Sequence, residues 1–220
     1  MKYSFFVCCF FLFLFFPIPA DAKKSTFNNK AWTKIPTIVI VGSDQDPRFQ
    51  AALEAIEFWN STFSEIGSPF HLGTVTRSTQ ENSYDDYVSK LSKHVLEGKT
   101  KPRMPKDLKT LPEDLIIVFS DAEIISFASR HPLEGKVIVG IRNHLSYPLT
   151  LPNVKRNLLA HELGHAIGLG HNSDPSKLMC GRPAPCRPDA RQSDEAKFFP
   201  LTDQEKQQLL KMYPSGWKDN

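Results

Sequence analysis

The stretch HELGHAIGLGH, residues 161–171, places three histidines at fixed spacing in the C-terminal third of the chain. His161 and His165 are four residues apart, so on a helix both imidazoles point the same way and can reach one ion. Gly168 allows the helix to stop and the chain to turn sharply, after which His171 can swing back toward the first two. The spacing H-E-x-x-H-x-x-G-x-x-H therefore predicts a three-histidine metal site.

The glutamate of this stretch, Glu162, is predicted to act beside the metal rather than to bind it. Structural zinc sites are closed by four protein ligands, whereas catalytic sites keep one position open for water. Two histidines and a carboxylate on one helix are typical of the catalytic kind. We therefore expect one catalytic Zn²⁺ held by His161, His165 and His171, with Glu162 as the general base.

The sequence resembles the metzincin zinc metalloproteases and, within them, the matrixin-like branch. The resemblance is carried by HELGHAIGLGH and by Leu178-Met179 after a short polar loop. It implies a secreted zinc metalloendopeptidase in which Met179 is the Met-turn methionine beneath the metal. It also implies a metzincin-like zincin fold, an α/β (α+β) domain with a mixed twisted sheet, an active-site helix and a C-terminal helix. In the family, substrate lies antiparallel along an edge strand, which Val137 to Ile141 matches by its order in the chain.

The resemblance also bears on the pocket and on further ions. In the family, the segment after the Met-turn forms one wall of the specificity pocket, here roughly residues 181–199. Animal matrixins carry a second, structural zinc and calcium ions, bound in part through a His-x-Asp pattern that we do not find here. Structural calcium or a second zinc is therefore not expected. The histidines outside the motif show no ligand spacing and are expected to be surface or satisfied polar residues: His71, His94, His131 and His144.

The first 22 residues are predicted to be a secretory signal peptide. Lys2 supplies the positive charge, residues 5–16 form the apolar run FFVCCFFLFLFF, and Ala20-Asp21-Ala22 fits a cleavage site. A membrane anchor is the alternative, but the apolar run is too short to span a bilayer. The protein is therefore expected to be secreted or extracellular, or periplasmic if the source is bacterial.

Removing the signal peptide leaves two of the four cysteines, Cys180 and Cys186. In an exported protein, two cysteines predict one disulfide. A thiolate bound to the metal would also fill the position that a catalytic site leaves open for water. We therefore expect a Cys180–Cys186 disulfide at the start of the pocket wall.

Hydrophobic periodicity predicts one α/β domain at residues 37–214, after a polar leader at 23–36 and before a tail at 215–220. The predicted strands are 37–41, 71–77, 115–119 and 136–141. The predicted helices are 46–63, 84–96, 121–129, one from about Asn153 through the histidine motif, and one from a capping box at Thr202 to Glu205 that ends near Tyr213. The Lys- and Pro-rich residues 98–112 are expected to form an exposed, solvated loop.

The expected partner is a protein or peptide substrate, and a monomer is expected. The net charge of +3 is too mild to favour nucleic acid or membrane, and no stable membrane anchor is expected. Because the leader leaves no room for a prodomain, the protein is expected either to be active once secreted or to be restrained by a separate inhibitor. Two other functions remain open: a zincin whose third ligand is Glu195 in place of His171, and a secreted zinc-binding module without turnover.

Overall fold

A computed structural model describes residues 30–43, 45–79, 84–181, 186, 193 and 195–220. Within these ranges the elements are β1 Ile38–Val41, α1 Arg48–Glu65, β2 Val75–Ser78, α2 Asp85–Glu97, α3 Lys106–Thr110, β3 Leu115–Phe119, β4 Phe127–His131, β5 Lys136–Ile141, α4 Pro152–Ala166 and α5 Asp203–Met212. None of the helices in these ranges is long and apolar enough to cross a membrane. The predicted signal peptide lies outside the described residues.

The five strands form one mixed sheet in the order β2-β1-β3-β5-β4. The pairs β1–β2, β1–β3 and β3–β5 are parallel, whereas β4 runs antiparallel to β5, with Phe127 opposite Gly140. The three central strands, β1, β3 and β5, are buried along their whole length. Such continuous apolar strands are expected where helices cover both faces of a parallel sheet. The predicted mixed α/β fold class is thus confirmed.

Helices cover both faces of the sheet and make three layers. Ile38 and Ile40 of β1 face the core shared with α1 and α4, whereas Val39 and Val41 face the core shared with α2 and α3. The fully buried Trp59 of α1 donates its indole N–H to the carbonyl of Ala160 in α4 at 2.9 Å. Burial of a large aromatic ring together with this hydrogen bond fixes α4 against α1. The helix that carries the histidine motif is therefore held by the core itself.

The edge of the sheet differs from what the sequence predicts. The helix predicted at 121–129 is wrong, because Phe127–His131 forms strand β4. Its side chains alternate between the layers, with Phe127 in the α2 core and Ala128 in the α4 core. Val137–Ile141, expected to be the edge strand, lies in β5 between β3 and β4. The structure therefore assigns the edge beside α4 to β4.

The remaining boundaries agree more closely. The helices predicted at 46–63, 84–96, near Asn153 and after Thr202 are confirmed within a few residues as α1, α2, α4 and α5. The capping box is present, since Thr202 accepts from the N–H of Glu205 and Glu205 accepts from the N–H of Thr202. The strand predicted at 71–77 forms only as β2, and the loop predicted at 98–112 contains the short helix α3.

A buried histidine at the end of β4 makes stability depend on pH. The Tyr87 hydroxyl lies 3.0 Å from His131 Nε2, and burial, followed by the nearby Lys101, lowers the pKa of His131 to about 4. As the pH falls, the imidazole of His131 takes up a proton near pH 6.5 in the unfolded chain but only near pH 4 in the folded protein. The contribution of neutral His131 to the free energy of unfolding is therefore fully present above pH 6.5 and is lost as the pH falls toward 4.

We expect the free energy of unfolding to fall by roughly 3 kcal/mol between about pH 6.5 and about pH 4 through this group. Urea unfolding at a series of pH values measures it, with His131→Gln as the matched variant. The slope in this window should be smaller for His131→Gln, because the other titrating groups are common to both proteins. Equal slopes for the two proteins would refute the assignment to His131.

Candidate active site

Helix α4 ends in a glycine turn that sets the spacing of the histidines. The N–H of Gly168 donates to the His165 carbonyl at 3.0 Å, and that of Leu169 to the Gly164 carbonyl at 2.9 Å. Gly168 has a φ of 105°, in the left-handed region that favours glycine. The helix therefore stops where the sequence predicts, and the chain turns back toward α4 and brings His171 beside it.

The three motif histidines converge on one point. Their Nε2 atoms are 3.1 Å apart for His161 and His165, 3.2 Å for His161 and His171, and 2.9 Å for His165 and His171. Such a triangle contains a point within about 2 Å of all three nitrogens, and Zn–N bonds are about 2.0–2.1 Å long. Among the residues that the structure describes, this is the one group of three or more His, Cys, Asp and Glu side chains close enough to hold an ion.

Hydrogen bonds from two of these rings to backbone carbonyls show which ring nitrogen carries the proton. His161 Nδ1 lies 2.8 Å from the Leu178 carbonyl, and His165 Nδ1 lies 2.8 Å from the Leu169 carbonyl. A carbonyl only accepts, so each Nδ1 carries a proton, and when the ring is neutral its Nε2 lone pair then points inward. Lone pairs about 3 Å apart repel one another, and a cation between them reverses that repulsion. The donor set therefore fits Zn²⁺, which binds imidazole nitrogen well.

Glu162 lies in α4 between the two ligand residues His161 and His165. It is only 5% exposed and follows His161 directly in α4. A buried carboxylate is shielded from bulk water, which strengthens its interactions with neighbouring charges. This location suits a group that exchanges a proton with a reactant at the site.

Met179 packs directly against α4 beside the histidines. The side chain is fully buried, and a Cβ built on Gly164 would lie 2.4 Å from Met179 Sδ. The glycine in the third position after His161 is therefore required for this close approach. The preceding residue, Leu178, supplies the carbonyl that orients His161. The segment that the resemblance predicts as the Met-turn thus lies against the histidine-bearing helix.

His171 is held by a short ladder that the sequence does not reveal. The N–H of Asn172 donates to the Met179 carbonyl at 2.8 Å, and that of Gly181 to the Asn172 carbonyl at 2.9 Å. The Asn172 side chain also donates to Glu205 Oε1 at 2.7 Å, so the capping glutamate of α5 braces this ladder. A Cβ on Gly181 would stand 2.3 Å from His171 Cγ. These contacts of Asn172 and Gly181 fix the position of the His171 imidazole.

The two cysteines form a disulfide and are not metal ligands. Cys180 and Cys186 are joined with an S–S distance of 2.17 Å. Cys180 lies directly after Met179 and pairs with Asn172 in the ladder. The disulfide therefore ties the ladder to the segment that begins the predicted pocket wall. Most of residues 181–199 beyond these cysteines lie outside the described part of the chain.

Other sequence-predicted residues lie apart from the metal cluster. Within the described ranges, Glu195 does not join the three histidines, and neither do the histidines outside the motif: His71, His94, His131 and His144. Glu195 instead uses its backbone carbonyl to accept from the Asn153 side chain at the start of α4. The residues that sequence reasoning missed are Asn172, Gly181 and Glu205. Only the capping box offered a signal, and it indicated a helix start rather than a contact with the site.

Comparison with known proteins gives distant structural likeness only. No protein family and no curated protein matches this sequence. Among solved structures, the chain is similar to archaemetzincin from Methanopyrus kandleri, with a TM-score of 0.41 and 15% identity over 82% of this chain and 96% of that chain. It is also similar to metalloproteinase-II from Bacteroides fragilis, with a TM-score of 0.46 and 16% identity over 84% of this chain and 55% of that chain. The chain thus spans little more than half of the latter protein.

Proposed function

We propose that the protein is a secreted zinc-dependent endopeptidase of the metzincin type, with a matrixin-like site. The observation that carries this proposal is the convergence of three Nε2 atoms, two of them with their protons fixed on the outer nitrogen. Glu162 on the same helix adds the base that a purely structural ion would not need. Three histidine ligands, and a buried carboxylate directly after the first of them in the chain, are the groups that zinc-dependent peptide hydrolysis uses.

His161, His165 and His171 would hold the zinc, which when bound supplies Lewis acidity toward a peptide carbonyl and toward water. A carboxylate oxygen of Glu162 takes a proton from the attacking water and then gives it to the nitrogen of the leaving amine. The Leu178 and Leu169 carbonyls hold the Nδ1 protons of the first two histidines, which keeps both rings in the ligating tautomer.

The substrate is a protein or peptide whose main chain would extend along β4. This strand ends the sheet beside α4 and so takes the role that order in the chain predicts for Val137–Ile141. An extended peptide gains main-chain hydrogen bonds by adding to a sheet edge. The Cys180–Cys186 disulfide would stiffen the start of the opposite wall, which shapes the specificity pocket.

The Cys180–Cys186 disulfide is compatible with an oxidising compartment, and the predicted signal peptide at 1–22 points to secretion.

Cleavage profiling tests the proposed function. The protein from residue 23 onward is purified and given a peptide library with and without a chelator. Cleavage that the chelator abolishes and added zinc restores is expected. Absence of cleavage from every library peptide, with one zinc bound per chain, would favour the zinc-binding module instead.

The identity of the third ligand is tested by removing each candidate. We expect His171→Ala to weaken zinc binding by at least about tenfold, because Nε2 of His171 lies 2.9 and 3.2 Å from those of the other two histidines. Glu195→Ala should leave zinc affinity unchanged, and competition with a fluorescent chelator measures both. The reverse pattern would establish the Glu195 alternative.

A further inference from the structure

We propose that residues 99–109 and the β4–β5 turn form a surface that docks reversibly on an anionic phospholipid bilayer. This inference does not depend on the proposed peptidase activity. We call the surface the basic face and define it by Arg103, Lys106, Lys109 and Leu133. Sequence composition alone predicts a solvated loop here, and the structure adds three observations that change this expectation.

The charge of the whole protein is concentrated in this segment. Residues 99–109 carry five basic residues and one acid, a net charge of +4, whereas the whole chain nets +3. Glu134 of the β4–β5 turn lowers the net charge of the proposed surface to +3, and the remainder of the chain together nets 0. Anionic surfaces attract such a local cluster even when the overall charge of the protein is mild.

The segment is anchored rather than loose. Met104 is 4% exposed and Leu108 is fully buried in the α2 core, so two side chains fasten the segment to the sheet. Lys101 donates to the Arg130 carbonyl of β4 at 2.5 Å. The acid of the segment, Asp107, accepts from the Tyr84 hydroxyl at 2.8 Å. A fixed backbone presents its cations without the entropic cost of ordering a flexible loop.

The cations surround one concavity. Arg103, Lys106 and Lys109 are exposed and line a cavity of about 530 Å³ together with Met104 and Pro105. Among the described residues, no carboxylate lines this cavity. A phosphate group entering it would meet the positive charges of Arg103 and Lys106, whereas Lys109 is shared with Glu134 at 3.9 Å.

An exposed leucine adjoins the cations. Leu133 in the β4–β5 turn is 97% exposed, the highest exposure among the large apolar side chains described. Lys109 links the two parts of the face, since its ammonium lies 3.9 Å from Glu134, the residue after Leu133. A polysaccharide would use the cations but not the leucine, whereas a bilayer offers phosphates to the former and acyl chains to the latter. The observations therefore favour a lipid surface.

Vesicle sedimentation tests the proposal. The protein from residue 23 onward is mixed with vesicles of phosphatidylcholine and phosphatidylglycerol in equal parts, or of phosphatidylcholine alone. We expect binding to the mixed vesicles only, weakened by salt. Arg103→Gln with Lys106→Gln should lower the partition coefficient by about 25-fold, at about fivefold for each cation. Leu133→Ser should lower it by at least about fivefold.

The matched control is Lys211→Gln, an exposed cation on α5, which should bind vesicles like the unchanged protein. Circular dichroism verifies that every variant folds. Equal binding to both vesicle types, no binding to either, or binding unaffected by Leu133→Ser would overturn the proposal. Heparin binding that is lost in Arg103→Gln with Lys106→Gln, without vesicle binding, would identify a polysaccharide surface and overturn it as well.

Discussion

Glu162→Ala is expected to lower kcat/KM for peptide cleavage by about 10³-fold while zinc stays bound. Glu162 lies next to His161 in α4 and is buried, but the ligand set is complete without it. Loss of a general base typically costs about 10²–10⁴ in rate, because the attacking water then has no positioned acceptor for its proton. Steady-state cleavage of a fluorogenic peptide, together with zinc content per chain, measures both quantities.

Glu162→Gln separates the chemical role of this side chain from its packing role. The amide keeps the shape of the buried side chain but cannot take a proton, so it should be nearly as inactive as the alanine variant. Glu195→Ala, which removes an exposed carboxylate, is the matched control and should keep full activity. Full cleavage by Glu162→Gln would contradict the proposed chemistry even if zinc binding is intact.

The local part of the site is predictable from the sequence, and the reason is helical geometry. His161 and His165 are one turn apart on a single helix, so their common direction follows from spacing alone. Gly168 marks the end of that helix, because its φ of 105° is strained for any other residue. The central strands β1, β3 and β5 are also predictable, since their continuous apolar runs fit only a sheet covered on both faces.

Strand β4 is not predictable in the same way. Phe127–His131 reads FASRH, in which small and polar residues give no clear period of two or of 3.6. Its identity as a strand comes from pairing with β5, and Gly140 must lack a side chain because the Phe127 ring would lie 2.5 Å from its Cβ. Phe127 and Gly140 lie too far apart in the sequence for a local hydrophobic pattern to reveal this contact. Sequence order therefore assigns the edge of the sheet wrongly to Val137–Ile141.

The support of the third histidine is likewise a long-range effect. Asn172 meets Glu205 across 33 residues, and nothing in the intervening sequence indicates that they touch. The capping box predicts that Glu205 accepts from the backbone of Thr202 but leaves its second oxygen unassigned. That oxygen accepts from the Asn172 side chain. One buried glutamate thus couples the start of α5 to the ladder that holds His171.

Gly181→Ala is expected to weaken zinc binding by about 10- to 100-fold, the usual range when the support of a metal ligand is disturbed. The added Cβ would stand 2.3 Å from Cγ and 2.5 Å from Nδ1 of His171. These atoms belong to the root of the ring and cannot swing away as the end of a flexible side chain can. The imidazole must therefore shift, and its Nε2 leaves the point shared with His161 and His165.

Gly170→Ala is the matched control, because it makes the same change one residue before His171. A Cβ there meets no atom within 4 Å, and neither glycine has a φ in the left-handed region. Zinc affinity from chelator competition should therefore stay unchanged in Gly170→Ala, and the thermal stability of the metal-free proteins should verify that both variants fold. Equal zinc affinity in the two variants would mean that the ladder through Gly181 does not set the position of His171, and that the helix turn at Gly168 suffices to do so.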